Sequence, residues 1–278
     1  YPDPKDSFWT NLIGRGYPAP RNKFRWCTER MKIDPVSNFI EDRLTETRQA
    51  IVLLGTREQE SQARGERMRN YKKNSVREIL SPHQSQQNTH VYPPIRDWSN
   101  DEVWLFLTQV PNPWGINNKD LLNMYRGATE DKECPLVMDK TTPSCGDSRF
   151  GCWVCTMVEQ DKSMQAMVMN DDENEWLKPL LDYRNLLDFR GNNKLDHHLR
   201  DFRRRSGRID IFERDGEHLN IHGPYLQNVR EDFLRELLKT QKKVRSNPKT
   251  PKQLKKMELI RLEELNEIRR IWVEEKHE

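Results

Sequence analysis

Four of the five cysteines lie within one short segment, at Cys134, Cys145, Cys152 and Cys155. The gaps between them are ten, six and two residues. A two-residue gap lets both thiolates of a pair face one centre, and the longer gaps let a loop supply two further ligands. The segment therefore predicts a four-thiolate site around which the neighbouring chain must fold.

Two inorganic centres fit this pattern, namely a tetrahedral zinc ion and a [4Fe–4S] cluster, and cysteines alone can hold either of them. The spacing does not choose between them, and buried free thiols are the remaining interpretation. An odd number of cysteines, mostly clustered, is not typical of a secreted disulfide framework. Such a cluster is more often a metal or redox site in a reducing compartment, so we expect a cytoplasmic protein.

The composition predicts a folded, charge-rich protein. Charged residues make up 33% of the 278 residues, and eight Trp, nine Phe and seven Tyr can anchor a core. No stretch approaches the roughly 20 apolar residues of a membrane span, so no membrane contact is expected. The net charge of +3 arises from mixed signs and is a weak indication of nucleic-acid binding by itself.

Cys27 stands apart from the other cysteines, in the segment FRWCTERMK. Arg25, Arg30 and Lys32 surround it in sequence, and a helix is predicted to begin there. Cations and a helix N-terminus both favour the thiolate, so we expect a lowered pKa and a reactive sulfur carrier. A half-buried, inert cysteine is the alternative interpretation.

The segment AIVLLGTRE predicts a buried strand that Gly55 ends, as in a parallel sheet covered on both faces. Ligands of open α/β sheets bind beyond the carboxyl ends of the strands. Arg57 and Arg64 follow at that position and are predicted to grip phosphate oxygens, with Glu60 orienting one of them. Gly55 would let the backbone approach the phosphate. A surface loop with local ion pairs is the alternative.

The remainder of the chain is predicted to be mainly helical. Ser99 and Glu102 form a capping-box pattern, and a later helical stretch is divided near Pro179. The segment RIDIFERDGEHLNIH predicts a β-ribbon that turns at Asp215–Gly216. An amphipathic helix is predicted near residues 228–244, and a second one is predicted to begin at Thr250.

The segment HHLRDFRRRSGR, residues 197–208, is strongly basic, with only Asp201 opposing its arginines. Arginine clusters bind phosphates, and each contact adds a salt-dependent contribution to affinity. A solvated surface is the alternative interpretation. The candidate DNA contacts are Arg200, Arg203, Arg204, Arg205 and Arg208.

These motifs together resemble a known family. GTREQESQAR resembles the G-x-R-x-x-E-S-x-x-R segment of the phosphoadenosine phosphosulfate reductase family, within the PP-loop ATP pyrophosphatases. NLIGRGYPAPRNKFRWCTERMKI and SCGDSRFGCWVCTMVEQDKS resemble more narrowly the DndC-type sulfur-incorporating proteins of bacterial DNA phosphorothioation. SspD-type proteins of the single-strand modification system are the close second. The resemblance runs from about residue 7 to residue 240.

The resemblance implies an α/β fold with a parallel PP-loop sheet, followed by a mainly helical iron–sulfur and C-terminal region. It implies ATP cleavage with Mg²⁺, DNA as substrate, a cysteine desulfurase as sulfur donor, and other phosphorothioation proteins as partners in a bacterial cytoplasm. Cys134, Cys145, Cys152 and Cys155 would ligate a [4Fe–4S] cluster, with zinc as the alternative. Cys27 would be the thiol near the nucleotide. The residues that would bind the nucleotide are Arg25, Arg30, Lys32, Gly55, Arg57, Glu60 and Arg64.

One departure concerns the family's phosphate loop, S-G-G-x-D-S, which does not occur in the 278 residues. We expect that the chain carries only part of the nucleotide-binding domain. A degenerate member that has lost ATP cleavage is the alternative. Three segments are predicted: residues 1–95 for the nucleotide-binding part, 96–190 for the helical iron–sulfur region, and 191–278 for a basic, helical C-terminal region.

Overall fold

The computed structural model shows a mixed α/β protein that is mostly helical. The structure describes residues 2–21, 24–60, 65–66, 68–70, 79–83, 85–115, 117–119, 121–122, 125, 152–189, 196–214 and 216–274. Among them, the α-helices are α1 (Trp26–Thr28), α2 (Asp34–Thr47), α3 (Asn100–Gln109), α4 (Lys162–Asn170), α5 (Lys178–Leu187), α6 (Gln227–Ser246) and α7 (Leu262–Glu274). The strands are β1 (Ala50–Leu53), β2 (Ser81–Pro82), β3 (Thr89–Tyr92), β4 (Ile211–Arg214) and β5 (Glu217–Asn220).

Shorter helical turns complete the described elements. The π-helical segments are Thr10–Gly14 and Glu29–Ile33, and the second of them joins α1 to α2. The 3₁₀ turns are Pro4–Asp6, Glu58–Glu60, Asp172–Leu177, Asp196–Leu199 and Lys252–Leu254.

The chain divides into two compact units. Unit 1 consists of residues 1–35 together with 149–278, and unit 2 consists of residues 36–148. Unit 1 is thus assembled from both ends of the sequence, whereas the three predicted segments are consecutive. Those segment boundaries stay a prediction.

Unit 1 is built around a core that the N-terminal segment shares with the C-terminal helices. Leu12 and Ile13 in the first π-helical segment are fully buried with Leu237 of α6 and Ile268 of α7. Polar contacts fix the same packing, because the Trp272 indole donates to the Ile13 carbonyl at 3.1 Å. The N-terminal residues are therefore an integral part of this core.

A buried tyrosine links α5 to α6 within that core. The Tyr183 hydroxyl donates to the Phe233 carbonyl at 3.0 Å, and its ring packs edge-on against Trp9. Burial raises the pKa of the Tyr183 hydroxyl well above its usual value. The neutral phenol is therefore the form that the fold accommodates.

Unit 2 contains a three-stranded sheet in the order β1-β3-β2. Strands β1 and β3 pair in parallel, with Ala50 opposite Thr89 and Leu53 opposite Tyr92, and β2 is antiparallel to β3. The prediction of a strand at AIVL is confirmed, but the prediction that both of its faces are covered is wrong. Ile51 and Leu53 are 55% and 66% exposed, because they project from the opposite face to the half-buried Ala50 and Val52.

Several local predictions are confirmed. Ser99 and Glu102 form the capping box of α3, with each side chain accepting from the other's backbone N–H. Strands β4 and β5 form the predicted antiparallel ribbon, and Gly216 has a φ of 80° in its turn. Such a backbone angle suits glycine, which has no Cβ to clash.

The predicted start of the C-terminal helix is wrong, because α7 begins at Leu262 and not near Thr250. The Thr250 hydroxyl instead donates to the Val244 carbonyl at 2.6 Å and completes the end of α6. Side chains of α6 also bind the following backbone, with Arg245 donating to the Met257 carbonyl at 2.9 Å. Residues 255–261 therefore lie along α6 before α7 starts.

The earlier helical stretch also differs from its prediction. Its break lies at residue 171, between α4 and a 3₁₀ turn, and Pro179 instead sits in the first turn of α5. Proline is well tolerated in a first turn, where its missing N–H would have no helical partner. No helix among the described residues combines the length and the apolar character needed to cross a lipid bilayer.

Candidate functional site

Cys152 and Cys155 form one tight turn in unit 1, which we call the cysteine turn. The Cys155 N–H donates to the Cys152 carbonyl at 2.9 Å, and both thiols are free. Cys134 and Cys145 lie outside the described residues. Within the part of the chain that the structure describes, no three His, Cys, Asp or Glu side chains are grouped to hold a metal. The described residues thus fit half of a four-thiolate site, and the full site stays a prediction.

A buried arginine holds the backbone that follows the cysteine turn. Arg184 of α5 donates to the carbonyls of Cys155 and Glu159, each at 3.0 Å, and to the carbonyl of Val158. Its charge is balanced by Asp188 at 3.0 Å, and the two side chains are 1% and 6% exposed. Because a buried charge is costly without such partners, this cluster rigidly fixes where Cys155 lies.

The cysteine turn is also tied to the N-terminal segment. The buried Thr156 hydroxyl donates to the Pro20 carbonyl at 2.7 Å. The Trp153 ring packs against Trp9 and Tyr183, with ring centroids 6.0 and 5.9 Å apart. The loop that carries the two thiols is therefore part of the core packing of unit 1.

Cys27 lies near the cysteine turn, although the sequence separates them by more than 120 residues. It is half-buried at the start of the helical segment that runs from α1. Burial raises the pKa of its thiol, and negative charge on Cys155 and Cys152 raises it further. The Thr28 hydroxyl and Lys32 lower the pKa by less. The predicted lowered pKa of Cys27 is wrong, because burial and neighbouring sulfurs outweigh the cations.

A cavity of about 610 Å³ lies beside the helical segment that contains Cys27, and Trp26, Glu29 and Arg30 of that segment line it. We call it the arginine cleft, after the arginines that line it: Arg21, Arg30, Arg200, Arg204 and Arg205. Two sets of predicted contacts therefore meet in this cleft. Arg30 was predicted to contact a nucleotide, and Arg200, Arg204 and Arg205 were predicted to contact DNA. The remaining candidates Arg25, Lys32, Arg203 and Arg208 are not among the lining residues.

Three of these arginines lie in the loop of residues 200–208, which we call the arginine loop. Hydrogen bonds from its side chains to the backbone at residues 222–223 hold it in place. Arg200 donates to the Gly223 carbonyl at 2.8 Å and to the His222 carbonyl, and Arg204 donates to His222 at 3.1 Å. A side chain at Gly223 would overlap the Arg203 carbonyl oxygen. The close approach of these two backbones therefore requires glycine at position 223.

Arg57 lies after β1 in unit 2 and is largely buried. Its Nη2 donates to the Asn100 side chain at 3.4 Å, and its Nε lies 3.9 Å from a Glu60 carboxylate oxygen. Its Nη1 is buried without a hydrogen-bond acceptor among the described residues. Buried N–H groups rarely remain unpaired, so this atom fits an anionic ligand such as a phosphate.

Gly55 and Arg64 complete the predicted phosphate-binding segment. A Cβ at Gly55 would meet nothing within 4 Å, so packing of the chain itself does not require glycine there. Arg64 lies outside the described residues. The structure thus places Arg57 with its predicted partner Glu60, and the roles of Gly55 and Arg64 stay predictions.

One family model matches part of the chain. Residues 1–115 match the model of the phosphoadenosine phosphosulfate reductase domain. This match supports the family predicted from the sequence, with its PP-loop nucleotide hydrolase-like fold, and a sulfonucleotide- or PP-loop-related function in general. The family is typically enzymatic. The parallel sheet expected for the fold is present only as the β1–β3 pair among the described strands.

One curated relative is an uncharacterized protein of Methanocaldococcus jannaschii, which is 24% identical over 182 residues. The aligned part covers 66% of this chain and 28% of the relative. The chain therefore spans little more than a quarter of the length of that relative. No solved structure matches this chain.

Sequence reasoning missed the residues that support the site. Arg184 lies four residues before Asp188, and opposite charges at that spacing can indicate an ion pair. Tyr17, Phe24 and Trp26, which line the arginine cleft, carry no comparable sequence signal. Their role depends on contacts between distant parts of the chain.

Proposed function

We propose that the chain is the sulfur-handling part of an ATP-dependent sulfurtransferase that places sulfur in the DNA backbone. The proposal corresponds to DndC, with SspD as the close second. The observation that carries it is the grouping, within unit 1, of Cys27, the cysteine turn and the arginine cleft. A candidate sulfur carrier therefore shares one compact unit with a cationic cavity suited to phosphates.

In the proposed reaction, a phosphate oxygen of DNA attacks the α-phosphorus of ATP, and pyrophosphate leaves. The adenylated phosphate is then a good electrophile, because AMP is a better leaving group than oxide. A persulfide on Cys27, loaded by a cysteine desulfurase, attacks this phosphorus and expels AMP. An external thiol next cleaves the S–S bond, which leaves sulfur on DNA and a disulfide between that thiol and Cys27.

Two sets of charged groups support these steps. In unit 2, Arg57 would bind ATP phosphates with Glu60 holding its guanidinium, and Mg²⁺ would accompany the nucleotide. In unit 1, the arginines of the cleft would hold the DNA phosphate. A [4Fe–4S] cluster on Cys134, Cys145, Cys152 and Cys155 would supply electron transfer or a structural cross-link when bound.

Other candidates are supported by single observations. The match to the phosphoadenosine phosphosulfate reductase domain favours a sulfonucleotide reductase. The Cys152–Cys155 turn suits zinc as well as iron, which favours a zinc-stabilised DNA-binding component of a defence system. DNA, a cysteine desulfurase and other phosphorothioation proteins are the partners that the main proposal requires, in a bacterial cytoplasm.

The main proposal is tested by expressing the full gene, or its Cys27→Ser variant, in cells that lack the native copy. Digestion of the DNA and mass spectrometry would detect phosphorothioate dinucleotides with the unaltered protein and none with the variant. Metal content of both purified proteins is the control, because Cys27→Ser should leave it unchanged. Normal phosphorothioate levels with the variant would contradict the role of Cys27.

A second assay separates the main proposal from the reductase alternative. Purified protein is incubated with phosphoadenosine phosphosulfate and a thiol reductant, and sulfite is measured. The main proposal predicts no sulfite. Sulfite release at a catalytic rate would establish the sulfonucleotide reductase instead.

A further inference from the structure

We propose that the arginine cleft binds one unstacked nucleotide of single-stranded DNA. Its phosphate would lie on the arginines and its base against the aromatic wall. The assignment to DNA rests on the proposed function, whereas the binding of a nucleotide unit rests on the cleft itself. The described residues supply the charge, the aromatic surface and the volume that such a unit requires.

Charge is the first argument. Among the residues that the structure describes, five arginines line the cleft, against one carboxylate, Glu29. Asp6 pairs with Arg30, and Asp210 lies 3.4 Å from Arg204, so some of this charge is already balanced. The formal charge of the described lining residues is positive, and guanidinium groups bind phosphate oxygens in a fork geometry that lysine cannot match.

The aromatic wall is the second argument. Tyr17, Phe24 and Trp26 line the same cavity. The Arg30 and Arg205 guanidinium carbons lie 5.4 and 5.6 Å from the centre of the Tyr17 ring, so charge and aromatic surface are combined at one place. Phe24 is 44% exposed and offers a ring to a ligand. Bases of single strands stack on such side chains, with arginine adding cation–π contacts.

Size and surroundings decide between ligands. A cavity of about 610 Å³ has the volume of a small-molecule site, enough for one nucleotide unit. Duplex DNA keeps its base faces stacked, so it cannot use the aromatic wall. Exposed cations continue beyond the lining on both contributing segments, at Arg25 and Arg208. Further phosphates of a strand can reach these cations, whereas a free nucleotide cannot.

The test measures binding of fluorescein-labelled dT₁₂ to the full chain by fluorescence anisotropy at several salt concentrations. Arg205→Ala should weaken binding about 5- to 10-fold and reduce the salt slope by about 0.7. Phe24→Ala should weaken it about 5-fold or more through lost stacking. Arg235→Ala removes another exposed arginine, on α6 and outside the cleft lining, and should change affinity less than 2-fold, as the matched control.

Competition distinguishes the source of the nucleotide. Unlabelled dT₁₂ should displace the probe, and thymidine monophosphate should need at least about 100-fold higher concentration because it makes fewer phosphate contacts. Displacement by the mononucleotide or by duplex DNA at concentrations similar to dT₁₂ would overturn the proposal. Equal losses for Arg205→Ala and Arg235→Ala, or unchanged affinity for Phe24→Ala, would overturn it too.

The assay contains no ATP and no sulfur donor, so its outcome is independent of the proposed reaction. Strand binding with these variant effects, but without phosphorothioate in cells, would refute the sulfur-transfer function and leave the cleft assignment intact. Phosphorothioate in cells without strand binding in the cleft would refute only the cleft assignment.

Discussion

Arg184 offers the sharpest test of how the cysteine turn is positioned. Replacing Arg184 with methionine keeps much of the side-chain volume but removes the guanidinium that binds three carbonyls and Asp188. The buried Asp188 carboxylate would then lose the Arg184 guanidinium. Breaking a buried ion pair in this way costs about 3–5 kcal/mol. We therefore expect a large loss of stability from one substitution.

Urea unfolding followed by tryptophan fluorescence measures this loss. A cost of about 3–5 kcal/mol lowers the urea midpoint by more than about 1 M. Arg235→Met is the matched control, because Arg235 is 60% exposed and pairs only at the surface with Asp232. Such surface pairs contribute about 0–1 kcal/mol, so its midpoint should barely move.

A double variant refines the same test. Arg184→Met with Asp188→Leu removes both charges, so its cost should be clearly smaller than the sum of the two single costs. Thiol accessibility adds a readout beyond stability, since Cys155 in Arg184→Met should react faster with a thiol reagent under native conditions. A cost below about 1 kcal/mol for Arg184→Met would refute the argument that this buried cluster holds the cysteine turn.

Three further predictions concern other parts of the two units. Gly223→Ala should disrupt the arginine loop and weaken dT₁₂ binding by about 10-fold, because the added methyl overlaps the Arg203 carbonyl. Gly55→Ala is the control and should fold normally, because the space around Gly55 is open. Equal stability of the two variants would contradict the close approach of the backbones at Gly223 and Arg203. Tyr183→Phe should cost about 1 kcal/mol at pH 7 by removing a buried hydrogen bond. Burial raises the pKa of Tyr183 in the folded protein. The stability that the neutral hydroxyl contributes is therefore fully present below the pKa of tyrosine in the unfolded chain, about 10, and declines as the pH rises above it. The variant should thus lose less stability than the unaltered protein between pH 10 and 11, roughly, and identical alkaline profiles would contradict this. Arg57→Gln should weaken ATP binding by about 10-fold in isothermal calorimetry of the full-length enzyme, and unchanged affinity there would contradict a nucleotide-binding role for this residue.

Local patterns in the sequence were sufficient for several elements. The capping box at Ser99 and Glu102, the ribbon around Gly216 and helix α6 each depend on neighbouring residues, and the structure confirms them. The resemblance to the phosphoadenosine phosphosulfate reductase family could also be seen in the continuous motif GTREQESQAR, and the domain match over residues 1–115 supports it. These features share one property, which is that their physical causes lie within a few residues.

The remaining features depend on contacts between distant residues. Thr250 was predicted to start a helix, but its hydroxyl completes α6 because residues 255–261 bind α6 side chains. The pKa of Cys27 was predicted from flanking cations, whereas burial and Cys155 determine it. Likewise, the convergence of Arg30 with Arg205 in one cleft follows from the packing of the N-terminal segment against the C-terminal half.

The central claim is that the clustered cysteines hold an inorganic centre in a sulfur-transfer protein. Anaerobic purification followed by iron, sulfide and zinc quantification tests it most directly. The account predicts about four iron and four sulfide per chain, with both lost in Cys152→Ser and retained in Cys27→Ser. About one zinc without sulfide, or no metal at all, would contradict it.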